Sequence, residues 1–185
     1  NDFRLDPHYK GREFIYGLTD TFRNKILEAK NIANPGCFAT AIQSAIAPLA
    51  KAGSIVDDVH VTAITGSTGA GKKPVETTHF SYRSDNISIY KLFSHQHLAE
   101  IRMNLGRTMS AQSSTEAQDG IKVNFVPLRG DFARGIFASV YIKAVEGMTQ
   151  EDYRKLYEDY YAASPFVFHS NEGISMKEVV NTNKG

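Results

Sequence analysis

From Cys37 onward apolar residues recur at 38, 41, 42, 45, 46 and 49, the spacing of one face of a helix. Pro48 falls inside that run and is expected to kink or end it, because its ring clashes with the carbonyl four residues back. Upstream, "DTFRNKILEAK" (20–30) sets Phe22, Ile26 and Ala29 on one face and predicts a short amphipathic helix with Asp20 as N-cap. "HQHLAEIRMNLGR" (95–107) does the same with Leu98, Ile101 and Leu105. "TQEDYRKLYEDYYAAS" (149–164) opens on Thr149 with Asp152 three residues later, a capping box ahead of a helix. Alternation takes over in "VHVTAITGS" (59–67), "NISIYKLF" (86–93), "IKVNFVPL" (121–128) and "GIFASVYIKA" (135–144), which predict strands. "FVFH" (166–169) and "MKEVV" (176–180) read as further short strands, and residues 1–18 as extended or looped chain. Helices and strands do not alternate strictly. The expected class is therefore α+β, with a mixed, mostly antiparallel sheet and helices on one face.

Composition narrows the function. A chain of 185 residues, 42% of them apolar, can bury one sizeable core. Twenty-one basic residues nearly cancel twenty acidic ones, which gives no electrostatic case for nucleic acid or an anionic membrane surface. A small molecule or a protein partner is the better expectation. The single cysteine excludes an internal disulfide and fits a reducing, cytoplasmic setting. No apolar run approaches the roughly 18 residues of a membrane span, and "NDFRLDPHYKGRE" is too polar for a secretory leader. "NDFRL" reads as the end of a strand and "VVNTNKG" as the start of a missing segment, so a piece of a longer protein is expected.

Three stretches carry candidate chemistry. In "NPGCFAT" the lone cysteine follows a turn and opens a helix, where unpaired N–H groups carry roughly +0.5 charge and favour an anionic sulfur. Gly36 leaves the approach to that sulfur clear. The alternative is a buried, inert cysteine. A thiolate nucleophile needs an acid–base partner, and His95 and His97 stand together in "HQH", with Glu100 three residues on. The H-x-H pair is also a ligand pattern, but no third ligand stands out and no metal is expected. The glycine-rich "TGSTGAGKKP" (65–74) offers backbone N–H groups to a phosphate, or is simply a hairpin loop. It is neither a P-loop nor a dinucleotide fingerprint.

Taken together, "DFRL" (2–5), "YGLTDTFR" (16–23), "ANPGCFATA", "TGSTGAGKK" and "HQHLAEI" resemble, in chain order, the N-acetyl-gamma-glutamyl-phosphate reductases of arginine biosynthesis. The resemblance implies a glyceraldehyde-3-phosphate dehydrogenase-like catalytic domain that also makes the dimer. It implies NADPH-dependent reduction of an acyl phosphate to a semialdehyde through a cysteine thioester. Carried over residue by residue, Cys37 is the nucleophile and His95 the acid–base group. Arg4, Arg23 and His97 are substrate contacts, and Ser67, Gly69 and Gly71 are cofactor contacts. A homodimer or homotetramer is implied. Residues 1–33 would end a dinucleotide-binding domain otherwise absent here, and 34–185 would form the catalytic and dimerisation domain without its returning helix, so that this piece alone is inactive. Thr-Asp in "GLTDTFR" and Leu-Ala in "HLAEI" depart from the family's usual Pro-Glu and Thr-Pro. Aspartate-semialdehyde dehydrogenase, an aminoadipyl-phosphate reductase and an inert dimerisation module remain alternatives. The N-acyl group and the choice between NAD and NADP are open.

Overall fold

The structure, a computed structural model, describes residues 2–110 and 122–185. Its centre is a four-stranded sheet in the order β6 (Ser88–Ile89), β7 (Val123–Arg129), β5 (Val59–Thr65), β8 (Ile136–Tyr141). β5 and β7 are parallel, with Val59 opposite Val123 and Thr65 opposite Arg129. β8 pairs antiparallel with β5, and β6 antiparallel with β7. Ahead of the sheet lie a hairpin of β1 (His8–Tyr9) and β2 (Arg12–Glu13), and a parallel pair of β3 (Ile15–Tyr16) and β4 (Ile32–Ala33) around α1 (Thr19–Glu28). The expected class holds: α+β, a mixed sheet with most pairings antiparallel, and the long helices on one face.

That face is the core. Alternate residues Val59, Val61 and Ala63 of β5 and Val123 and Phe125 of β7 are buried against α2 (Cys37–Lys51) and α4 (His97–Ser110). α2 contributes Phe38, Ile42, Ile46 and Leu49, and α4 contributes Leu98, Ile101 and Leu105, the residues that the spacing placed on one side. α5 (Gln150–Tyr161) packs on α2 and starts with the expected capping box, in which the Thr149 side chain accepts from the Asp152 N–H and the Asp152 carboxylate accepts from the Thr149 N–H. The opposite sheet face, with Ile64, Val126, Leu128, Phe137 and Tyr141, carries no helix among the described residues and is partly or fully open.

Four expectations need correction. Pro48 does not end α2, which runs on to Lys51. A proline at 48 deprives the Ser44 carbonyl of its helical donor, and the hydroxyl of Tyr161 donates to that oxygen while the hydroxyl of Tyr157 donates to the Ala45 carbonyl. Asp20 does not cap α1; it lies in the first turn, after Leu18 as N-cap with no side-chain bond. The strand expected over 86–93 is reduced to Ser88–Ile89, because Lys91 and Phe93 adopt positive φ and break the regular register, although the Tyr90 and Phe93 N–H groups still bond the Pro127 and Phe125 carbonyls of β7. "FVFH" and "MKEVV" are not strands: Met176–Glu178 is a 3₁₀ turn led by the Ser175 side chain, and Phe166 and Phe168 exchange backbone bonds with Gly185 without building a ladder. Ile121, expected to open β7, lies outside the described residues.

Candidate active site

Topology brings the chemistry-bearing stretches to one edge. α2 returns through a short connection into β5, so its first residue, Cys37, lies toward the C-terminal end of that strand. β7 runs parallel to β5 and ends on the same edge, where ligands bind in sheets of this kind. Cys37 is the N1 residue of α2 and is exposed, with Gly36 as N-cap. Phe38 anchors it from below, packing edge-to-face on Phe125 and His95 at centroid distances of 5.0 and 5.3 Å.

Glu100, 2% exposed, ties the edge together. Its Oε2 accepts the Tyr16 hydroxyl at 2.9 Å and the Gly36 N–H at 3.2 Å, and its Oε1 accepts Arg4 Nη1 at 3.2 Å. Tyr16 in turn accepts from Gln43 Nε2 at 2.7 Å, and burial pushes its hydroxyl far above the ordinary phenol range. A carboxylate on α4 therefore caps the start of α2 and fixes the turn that presents Cys37. Gly36 is obligatory here: a Cβ would collide with His97 Nε2 and Glu100 Oε1.

The two histidines differ in setting. His97 Nε2 lies against Gly36, 3.9 Å from Glu100 Oε1, and its Nδ1 is buried without a hydrogen-bond partner. Burial lowers its pKa while Glu100 pulls it back up. His95 Nδ1 accepts the His97 N–H at 3.2 Å, so in the neutral ring the proton sits on Nε2. Burial, reinforced by the neighbouring His97, pushes His95 down to about 4. Tyr90 packs on His95 at 5.7 Å, and burial raises the pKa of its hydroxyl while Arg129 pulls it back down.

Of the residues expected to bind ligands, Cys37, His95, His97 and Arg4 converge. Arg4, however, is committed: its Nε and Nη2 bond Asp2 at 2.7 and 2.6 Å, and its Nη1 bonds Glu100. Arg23 is exposed on α1 and takes part in no ion pair among the described residues. The glycine-rich stretch forms a 3₁₀ turn, Ser67–Ala70. The N–H groups of Gly66, Ser67 and Thr68 go to the carbonyls of Gly135, Phe132 and Ala133, and the Ser67 hydroxyl also goes to Phe132. Gly66 permits that packing, since a Cβ would strike the Ala133 carbonyl. The Gly71 N–H goes to the Thr68 carbonyl, so the backbone donors at both Ser67 and Gly71 are engaged within the chain. Sequence reasoning passed over Tyr16 and Arg129. Nothing in their spacing marks them, although the Glu100 link is foreshadowed by its place three residues after His97.

Comparison with known proteins agrees with this architecture. Residues 37–185 match the family model described as semialdehyde dehydrogenase, dimerisation domain. An N-acetyl-gamma-glutamyl-phosphate reductase of Parabacteroides distasonis is 49% identical over 185 residues, 99% of this chain and 55% of the relative. One from Flavobacterium johnsoniae is 47% identical over 188 residues, 100% of this chain and 54% of the relative. The chain thus spans about half the length of these relatives. Among solved structures, aspartate semialdehyde dehydrogenase from Francisella tularensis superposes with a TM-score of 0.65 at 12% identity, over 100% of this chain and 62% of that one. Aspartate semialdehyde dehydrogenase II from Vibrio cholerae gives 0.62 at 16% identity, over 94% and 55%. At such identities these two speak to the fold alone. The chain belongs to the N-acetyl-gamma-glutamyl-phosphate reductase family and carries its semialdehyde dehydrogenase dimerisation domain.

Proposed function

We propose that this chain is the catalytic and dimerisation part of a longer, cytoplasmic enzyme that reduces N-acetyl-gamma-glutamyl phosphate to the semialdehyde in arginine biosynthesis. The reading rests above all on one observation: an exposed cysteine at the first position of a helix, with two histidines and a buried carboxylate at the start of the neighbouring helix. The Cys37 thiolate attacks the acyl carbon. A C–S bond forms, the C–O bond to phosphorus breaks, and phosphate leaves with the electron pair. The thiol proton passes to His97, whose imidazole stands beside Gly36 and is backed by Glu100. His95, neutral at working pH, offers its Nε2–H to the carbonyl oxygen as negative charge develops there. This division moves the acid–base role, which family position assigns to His95, to His97, and leaves His95 as a hydrogen-bond donor to the carbonyl oxygen.

NADPH supplies the hydride in this reading. Residues 1–33 are proposed as the tail of the domain that holds its phosphates. Catalytic dimers are proposed to pair through the open sheet face. The test is activity of the full-length protein: Cys37→Ser should abolish phosphate-dependent oxidation of the semialdehyde, because a neutral hydroxyl is a far weaker nucleophile than a thiolate. Retention of most activity would refute the thioester route.

A further inference from the structure

Arg129 closes β7 at the edge that carries Cys37. In register it stands beside Thr65 of β5 and Ser88 of β6. By alternation its side chain belongs to the sheet face of Phe125 and Pro127, the face on which Phe38 and His95 pack. Its guanidinium lies 4.7 Å from the centroid of Tyr90, the ring that packs on His95 and on Phe38, the residue after Cys37. A planar cation over an aromatic face is held in orientation without consuming its donors. Of those donors, Nε is buried with no partner, Nη1 has only a long contact, 3.5 Å, to Thr77 Oγ1, and the guanidinium also acts on the Tyr90 hydroxyl.

A second arginine deepens the imbalance. Arg83, 5% exposed, donates Nη1 to the Arg129 carbonyl at 2.9 Å and Nη2 to Ser88 Oγ at 3.1 Å, and its Nε is also buried and unpartnered. Among the described residues no carboxylate pairs with either guanidinium. Arg129 is half-buried and Arg83 buried; withdrawing cations from water without a counter-charge is costly, and a protein retains such an arrangement where a ligand supplies the anion.

We infer that Arg129 is a specificity-determining residue that binds the carboxylate of the substrate, with Arg83 beneath it adding positive field. The inference rests on the reading of Cys37 as the acyl-accepting sulfur. A carboxylate fits better than the phosphoryl group for a geometric reason. The phosphoryl oxygen is bonded to the carbon under attack and must lie next to the sulfur, whereas Arg129 lies against Tyr90 at the end of β7 and is assigned to the far end of the substrate. A guanidinium fork also meets a carboxylate through two parallel bonds. Arg4 cannot serve, since Asp2 and Glu100 already occupy it.

The full-length enzyme, with Arg129→Leu and Arg129→Lys, tests this in the phosphorylating oxidation of the semialdehyde. There the carboxylate and the phosphate reside on separate substrates. Arg129→Leu should raise KM for the semialdehyde by about 30-fold, the loss of a charged hydrogen-bonded contact, and leave KM for phosphate within about twofold. Arg129→Lys, which keeps the charge but not the fork, should fall between. A rise in KM for phosphate alone, or no change in either, overturns the assignment. A second measurement does not depend on substrate identity: alkylation of Cys37 by anionic iodoacetate against neutral iodoacetamide, read by mass spectrometry. The wild-type preference for iodoacetate should drop about fivefold in Arg129→Leu, a change on the scale of one nearby charge; an unchanged ratio also overturns it. If the wild type oxidises no semialdehyde, the functional reading fails while the alkylation ratio still decides the role of Arg129.

Discussion

Glu100 shows how one side chain sets a site. Its two oxygens hold Arg4, Tyr16 and the N–H of Gly36, so its removal frees the turn ahead of Cys37 and strips His97 of its acidic neighbour. Glu100→Gln should slow Cys37 alkylation and turnover together, by about 10–100-fold, because the carboxylate that restrains both groups is gone; equal rates would deny it that role. The buried His95 makes a pH prediction with a definite sign. Its pKa falls from 6.5 in the unfolded chain to about 4 in the fold. Between those values the unfolded state binds the extra proton, so stability is fully present above about 6.5 and is lost as pH falls toward 4. The loss should be on the order of 2 kcal/mol. Urea midpoints between pH 7 and 4 should decline less steeply in His95→Asn than in the wild type; parallel slopes would show that His95 is not the group responsible. In the enzyme, His95→Asn and His97→Asn should each cost about 10²–10⁴-fold in rate. Only His97→Asn should shift the pH profile of Cys37 alkylation, and a shift caused by His95→Asn instead would reverse the two roles.

At the scale of elements, much was legible because burial and periodicity have the same cause. The faces of α2 and α4 and the capping box of α5 follow from spacing, and each became a buried face or a closed cap. What was not legible depends on distant partners. Pro48 breaks helices as a local rule, but here Tyr157 and Tyr161, more than a hundred residues later, donate to the carbonyls around the gap. Tyr161→Phe leaves the Ser44 oxygen without that donor and should cost about 1 kcal/mol by urea unfolding; no change would mean that the proline gap needs no cover. Alternation over 86–93 looked like a strand throughout, yet Lys91 and Phe93 take positive φ and interrupt the ladder, with Phe93 still bonded to Phe125 of β7, just ahead of His95. The ion pair of Arg4 with Glu100 and the stacking of Arg129 on Tyr90 were equally invisible, since each joins segments with no shared period.

At the scale of the whole molecule, one sheet divides two tasks. Its helix-covered face builds the core and the site edge, while its other face presents Ile64, Val126, Leu128, Phe137 and Tyr141 with no helix over them among the described residues. A second copy is the expected cover, and Phe137→Asp together with Leu128→Asp should convert a sedimenting dimer to monomer without moving the alkylation chemistry of Cys37; an unchanged dimer would place the interface elsewhere. The central claim is that Cys37 accepts the acyl group. The most direct measurement mixes the full-length protein with the acyl phosphate in the absence of NADPH, quenches in acid and weighs the peptide containing Cys37. The account predicts an acyl adduct on Cys37 that hydroxylamine removes and that Cys37→Ser lacks. Active enzyme yielding no adduct, or an adduct on another residue, would contradict it.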